Sequence, residues 1–338
     1  MKVLQVGIFN DHELGGCIVF EKGLQQNGCS IERFDYRYLS DVFGTDAMNR
    51  LLIEKSADKD IVFIGKGELV KKETLQEIRK KGIKIILWYG DIRPSPEAWL
   101  INLLSEVDAF FMSSGGEILK QYFREGKPKI AAYYFNPSDP ELTEKFNYLP
   151  RGFRNIVFTG SANSFCQKER LKVIKHLHKR TDVSFWGGAE NLILSRIFYR
   201  MMDKIFKKNN TIRGVSYIQA IKSAKIGIGV NAIQNVDKYT SDRLTHYLEF
   251  GTFFLALYFP KAELLFNPGK EIAFFTNAIE LENKIKYYLD HDDEREIIAQ
   301  AGSRRINEEY NTKNIVEMML EIVQTGSSHK FPWIEIYK

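Results

Sequence analysis

The sequence predicts an α/β protein with parallel sheets, arranged in two domains. Three observations carry this. Short apolar runs alternate with helical stretches along the first half, the sequence mark of a parallel sheet covered by helices. Phe253–Tyr258 is an unbroken apolar run just after a glycine, as expected of a strand buried on both faces. Finally, 338 residues, 44% of them hydrophobic, suffice for two domains of ordinary size with real cores, which excludes a disordered chain.

In order, the first half gives strands at Lys2–Ile8, Ile31–Tyr36, Asp60–Gly65, Lys84–Tyr89, Ala109–Met112 and Lys129–Tyr134. Helical stretches fall near Cys17–Asn27, Ala47–Lys55, Lys71–Lys81, Pro96–Ser105 and Glu117–Glu125. In open α/β sheets ligands bind beyond the carboxyl ends of the strands, so the loops there are the ones to search. After the first strand comes Asn10-Asp11-His12-Glu13-Leu14-Gly15-Gly16. Gly15 and Gly16 either let a ligand approach the backbone at the helix start or simply shape a turn. After the fourth comes Trp88-Tyr89-Gly90-Asp91-Ile92-Arg93-Pro94. Asp91, at the tip of a strand, is either a general base or an N-cap or Asx-turn ahead of the Pro94/Pro96 helix.

Phe135–Arg154 is broken by proline, glycine and polar residues and reads as the interdomain connection. The expected division is 1–140, 141–310 and a terminal segment 311–338 that packs back on the first domain. The second half opens with Asn155–Asn163, a strand running into a small-residue loop with Gly160 and Ser161, which on the residues alone is a common strand-to-helix turn. A helix over Gln167–Lys179 carries Arg170, and a strand follows at Val183–Gly188. Asn191–Asn210 sets an apolar stripe against Arg196, Arg200, Lys204, Lys207 and Lys208. That pattern suits a packed helix with a solvated basic face or a helix lying on a membrane surface.

Thr211–Tyr217 leads through a helix to the strand Lys225–Asn231. A polar loop then enters a helix bearing Arg243, His246 and Glu249, with Thr240, Ser241 or Asp242 able to cap it and Gly251 ending it. An arginine beside a helix N-terminus is suited to phosphate, because orphan N–H groups and the guanidinium fork both favour an anion. His246 and Glu249 recur at helical spacing on the same side. The plain alternatives are a partly buried helix histidine and an ion-pair partner for a neighbouring base. Strands at Phe253–Tyr258 and Glu271–Phe275 and a long amphipathic helix come next, followed by helices over Asp292–Tyr310 and Thr312–Thr325. Trp333 in the tail anchors the end on the first domain or packs at a homodimer contact.

Composition excludes several classes. Cys17, Cys29 and Cys166 are scattered, odd in number and form no CxxC pair, which points to a reducing cytoplasm without disulfides or a zinc site. The apolar run in MKVLQVGIFN is too short for a signal peptide, and no segment approaches the ~20 apolar residues of a membrane span. A net charge of +5 suits anionic ligands, and no nucleic-acid motif accompanies it. A nicotinamide-dependent oxidoreductase lacks its glycine fingerprint here.

Several stretches together resemble the CgeB-like (spore-maturation-protein-like) glycosyltransferases. They are Gly214-Val215-Ser216-Tyr217, Ala224–Asn231, Arg243 with Gly251, Leu265-Phe266-Asn267-Pro268-Gly269-Lys270-Glu271, Tyr288-Leu289, Asp293–Ala299 and Ala301-Gly302. Trp88 and Asp91 match a Trp-x-x-Asp in the first half. The resemblance implies a GT-B fold, two facing Rossmann-like domains with a C-terminal helix crossing back to the first. It implies a nucleotide-diphosphate sugar, UDP- or GDP-linked, as co-substrate, with no other cofactor and no metal. Gly160 and Ser161 would lie against the donor phosphates, backbone near Val215 would read the nucleobase, and the Asn231 loop would approach the sugar-phosphate. Ser241, Arg243, His246 and Glu249 complete the expected donor site, with the family's ribose-gripping acidic residue replaced by His246. Asp91 or His12 would be the general base, and the Gly15-Gly16 loop would lie on the acceptor side. The expected activity is sugar transfer to a glycan, protein or lipid-linked acceptor. The alternative is a non-catalytic nucleotide-sugar-binding protein of the same fold.

Overall fold

A computed structural model describes residues 1–9, 12–160, 168–187 and 211–338. The chain divides into two compact units, Met1–Pro137 with Thr312–Lys338, and Ser138–Asn311.

The first unit contains β1 (Lys2–Gly7), α1 (Gly16–Gln26), β2 (Ser30–Asp35), α2 (Tyr36–Phe43), α3 (Thr45–Lys55), β3 (Ile61–Gly65), α4 (Lys72–Lys80), β4 (Lys84–Tyr89), α5 (Ala98–Leu104), β5 (Ala109–Met112), α6 (Glu117–Gly126) and β6 (Ile130–Tyr133). Its strands order as β2-β1-β3-β4-β5-β6, all parallel, with a short C-terminal strand antiparallel to β6 at the edge. The order reverses between β1 and β3, so the loops after those two strands frame a switch point. Val3, Leu4, Val6, Ile61–Ile64 and Ile85–Leu87 are fully or almost fully buried, as continuous apolar strands covered on both faces must be.

The second unit contains α7 (Pro140–Lys145), β7 (Arg154–Thr159), α8 (Lys168–Leu177), β8 (Val183–Trp186), α9 (Gly214–Lys222), β9 (Ala224–Gly229), α10 (Asp242–Glu249), β10 (Phe253–Leu257), β11 (Ala273–Phe275), α11 (Ala278–Asp290) and α12 (Asp292–Arg304). Its strands order as β11-β10-β9-β7-β8, all parallel, and the switch point lies between β7 and β9. Ile156, Phe158, Ile226, Ile228 and Leu255 on the strands pack with Ile174, Leu281 and Ile285 on the helices as one core.

After a π-helical turn at Arg305–Glu309 the chain returns to the first unit as α13 (Thr312–Thr325) and β12 (Ile336–Tyr337). α13 lies on α1, where the absence of a side chain at Gly23 allows contact: a Cβ there would sit 2.4 Å from Thr312 Oγ1 and 2.6 Å from Val316 Cγ2. Thr312 Oγ1 also donates to the Val19 carbonyl at 2.7 Å. In the tail, Trp333 is 1% exposed, stacked on Phe331 and edge-on to Tyr133, all within the first unit. Its surface is therefore taken up inside this unit and is not offered to a dimer contact.

Three local departures from the sequence reading have clear causes. The strand expected through Tyr36 stops at Asp35, whose side chain accepts the Tyr38 N–H at 3.0 Å and starts α2. The Phe135–Arg154 connection contains α7, nucleated by Asp139 as N-cap with Pro140 at the first helical position. The helix expected to run unbroken over Asp292–Tyr310 changes to π geometry at Arg305. The Asn191–Asn210 helix lies outside the described residues. Among the described residues no helix is long and apolar enough to cross a membrane.

Candidate functional site

The switch point of the second unit gathers the strongest constellation. β7 ends at Thr159 and hands the chain to Gly160, whose N–H donates to the Trp186 carbonyl at 2.8 Å. Gly160 has φ +142, a region that favours glycine, and a Cβ there would meet Arg170 Nη2 at 2.7 Å and Arg243 Cζ at 2.9 Å. Two guanidiniums therefore lie directly against this one residue. Arg170, from α8, is 2% exposed, holds the Val230 carbonyl through Nη1 and stands 5.6 Å above the Phe158 ring. Arg243, from the first turn of α10, is half-buried and donates to the same Val230 carbonyl at 3.3 Å. Among the described residues Arg243 makes no ion pair.

Like charges crowded this closely and partly desolvated repel. An anion relieves that repulsion. The start of α10 adds to the attraction, since Ser241 holds the N-cap position without a side-chain cap bond. The first-turn N–H groups beside the guanidiniums are thus not capped by the Ser241 side chain. In the sequence Arg170 was the arginine of a helix that also fits the family resemblance, with no contact assigned to it. Its role comes from β7 and β9 being neighbours, which no local pattern reports.

Next to the cations stands a tyrosine–histidine pair. Tyr217 Oη lies 3.2 Å from His246 Nδ1, with the rings edge-on at 5.6 Å. Burial pushes the Tyr217 phenol up to about 12, against the pull of the neighbouring Arg243 cation. The phenol therefore keeps its proton at neutral pH and can donate to Nδ1 or accept from it, as the imidazole tautomer decides. Val215, two residues earlier in the first turn of α9, is 48% exposed. Asn231 is nearly buried and uses its amide to hold the Tyr239 carbonyl at 2.9 Å, so it shapes its own loop. Ser161 lies outside the described residues.

Glu249 does not join this group. It is 1% exposed, and its carboxylate accepts the Asp139 N–H at 3.1 Å. At 3.6 residues per turn, the step from Arg243 to Glu249 rotates the side chain by roughly 120° away from the arginine, so the two do not share a face. The expectation that Glu249 contacts the donor is corrected to an internal contact.

In the first unit, Asp91 is half exposed and paired with Lys66 at 2.7 Å, each in the loop following its strand, β4 and β3. The capping alternative falls away, because Glu97 holds the N-cap position of α5. His12 is half-buried in the turn that begins α1, its carbonyl accepting the Gly15 N–H at 3.2 Å. Gly15 is the N-cap of α1, and Gly16 faces the Trp88 indole, where a Cβ would touch Cη2 at 3.0 Å. These residues lie at the carboxyl edge of one sheet, around its switch point.

A cavity of ≈ 290 Å³ opens at the opposite edge of the same sheet. There Lys81 and Lys84 hold the Ile53 and Val323 carbonyls at the ends of α3 and α13, a structural use of both cations. Among the described residues no cluster of three His, Cys, Asp or Glu side chains could hold a metal ion.

Comparison with known proteins bears on this arrangement. A family model described as Glycosyl transferase-like matches residues 168–321, from α8 into α13. Among solved structures, Anabaena HepE in complex with UDP superposes with a TM-score of 0.65 over 96% of this chain and 100% of its own, at 12% identity. The chain has the GT-B fold. Sucrose-phosphate synthase from Thermosynechococcus elongatus gives a TM-score of 0.64 at 11% identity, over 96% of this chain and 98% of its own. A Rickettsia africae glycosyltransferase gives 0.61 at 15% identity, over 96% and 99%. Among curated proteins the chain has no match.

Proposed function

We propose that this GT-B protein is a glycosyltransferase of the CgeB-like group that moves a sugar from a UDP-linked donor to an acceptor hydroxyl. The observation that carries the reading is the pair of guanidiniums, Arg170 and Arg243, set against Gly160 at the start of α10. A uridine nucleotide is favoured because HepE was solved with UDP and with UDP-glucose.

In this reading the bond between the anomeric carbon and the β-phosphate oxygen breaks, and its electron pair leaves with the nucleoside diphosphate. Charge then builds on the β-phosphate, where the two guanidiniums and the α10 N-terminus stabilise it. Fixed cations supply that charge, so the reading includes catalysis without a metal. His246 contacts the ribose through Nε2, with Tyr217 fixing the ring from the other nitrogen. The acceptor oxygen bonds the anomeric carbon and its proton passes to a base in the first unit, Asp91 or His12. Cys17 and Cys29 are free and buried, in keeping with a cytoplasmic setting.

The test is release of UDP from a panel of UDP-sugars, with and without EDTA, and thermal shift with UDP and GDP. Expected are stabilisation by UDP, its loss in Arg243→Ala, and turnover that survives EDTA. Asp91→Asn and His12→Ala separate the two candidate bases. UDP binding without release from any supplied donor would establish the non-catalytic binder. Equal stabilisation of wild type and Arg243→Ala would remove the assigned site.

A further inference from the structure

We propose that Glu249 is a positioning residue for the diphosphate site: it ties the far end of α10 to the two segments by which the chain enters and leaves the second unit, and so sets where Arg243 stands. The proposal rests on the reading of Arg243 as a diphosphate ligand.

Glu249 is the last residue of the helix that carries Arg243 in its first turn. Its carboxylate accepts the N–H of Asp139, the N-cap of α7, while the Asp139 side chain accepts the N–H groups of Glu141 and Leu142 at 3.2 and 3.4 Å. Its backbone carbonyl accepts from Thr143 Oγ1 at 3.5 Å, Ser303 Oγ at 3.2 Å and Asn307 Nδ2 at 2.9 Å. The first donor belongs to the entering segment, and the other two belong to the leaving one. Those segments are themselves joined, since Ser138 N–H donates to the Tyr310 carbonyl at 3.2 Å and Ser138 Oγ to the Ile306 carbonyl at 3.0 Å.

The π-helical turn has a role here. Asn307 and Ile306 both lie in it, and it supplies one donor to Glu249 and one acceptor to Ser138. An α-helix of this length is about 12 Å long and stiff, so a shift at its anchored end reappears at the arginine. The Arg243 guanidinium lies beside Gly160, close enough that a Cβ there would meet its Cζ at 2.9 Å.

A residue that merely supports the fold would lower stability without changing what the folded protein binds. A positioning residue changes phosphate affinity selectively. The experiment compares UDP with uridine, which carries no phosphate, by calorimetry on wild type, Glu249→Ala and Glu249→Gln. Expected is about a tenfold loss of UDP affinity in Glu249→Ala, roughly 1.4 kcal/mol. Uridine affinity stays unchanged, and most of the loss returns in Glu249→Gln, which keeps an acceptor for the Asp139 N–H.

Unchanged UDP affinity, or an equal loss for UDP and uridine, overturns the proposal. Failure of wild type to bind UDP overturns instead the diphosphate reading. Hydrogen exchange on the ligand-free protein then decides the tether: faster exchange over 242–246 in Glu249→Ala than in wild type supports it, and unchanged exchange there sinks it.

Discussion

Arg170 and Arg243 donate to one and the same acceptor, the backbone carbonyl of Val230. The two cations reach it from helices that follow adjacent strands, α8 after β7 and α10 after β9. The mutual repulsion of two guanidiniums held this close in a largely buried site opposes folding. Function and stability should therefore pull in opposite directions at this point.

That opposition is measurable. Arg243→Met removes a cation while keeping a long side chain over Gly160. The ligand-free variant is expected to melt at a higher temperature than wild type, while its UDP affinity falls at least tenfold, in line with ~1.5–3 kcal/mol for hydrogen bonds to charged groups. Calorimetric melting and titration on the same preparations check both signs.

Gly160→Ala faces two penalties, a φ of +142 and contact with both arginines below 3 Å. Gly269 has φ +75 and open space around it, so it isolates the backbone penalty. Gly269→Ala is expected to cost about 1 kcal/mol, and Gly160→Ala to cost more and to abolish UDP binding. Urea unfolding and nucleotide titration of the pair give the comparison.

Glu280 governs part of the acid response of the second unit. Hydrogen bonds from Thr276, then Lys284, hold its carboxyl at about 2, below its ordinary 4.5. A folded-state value below the unfolded one means that the stabilisation is present above pH 4.5 and is lost as pH falls toward about 2. The difference in melting temperature between wild type and Glu280→Gln should be full at pH 6 and shrink through that window, as pH-dependent melting would report.

Gly23→Ala probes the join between α1 and α13. Alanine favours the helix by about 1 kcal/mol, but its Cβ would meet the Thr312 carbonyl at 2.6 Å. Overpacking costs of ~1–3 kcal/mol are expected to win, lowering the urea midpoint of the first unit. A higher midpoint would show that the two helices separate cheaply.

Much of the fold was legible because buried parallel strands and amphipathic helices write their periods locally. Arg243 was singled out locally, as an arginine in the first turn after a capping residue. Arg170 was not, because its partner carbonyl is 60 positions away and becomes a neighbour only through strand order. Glu249 was misplaced by treating equal three-residue steps as one face, whereas each such step rotates the side chain by roughly 60°. α7 was hidden inside a stretch whose prolines suggested irregular chain, although Asp139-Pro140 is itself a helix start. The Asp91–Lys66 pair joins two loops that only the sheet brings together.

The pairing of α1 with α13 also orders events during synthesis. A nascent chain that has reached Asn311 holds all of the second unit but still lacks the helix that covers Val19 and Gly23. The half made first thus waits on a helix made after the whole second unit, and its α1 face stays uncovered until α13 is synthesised.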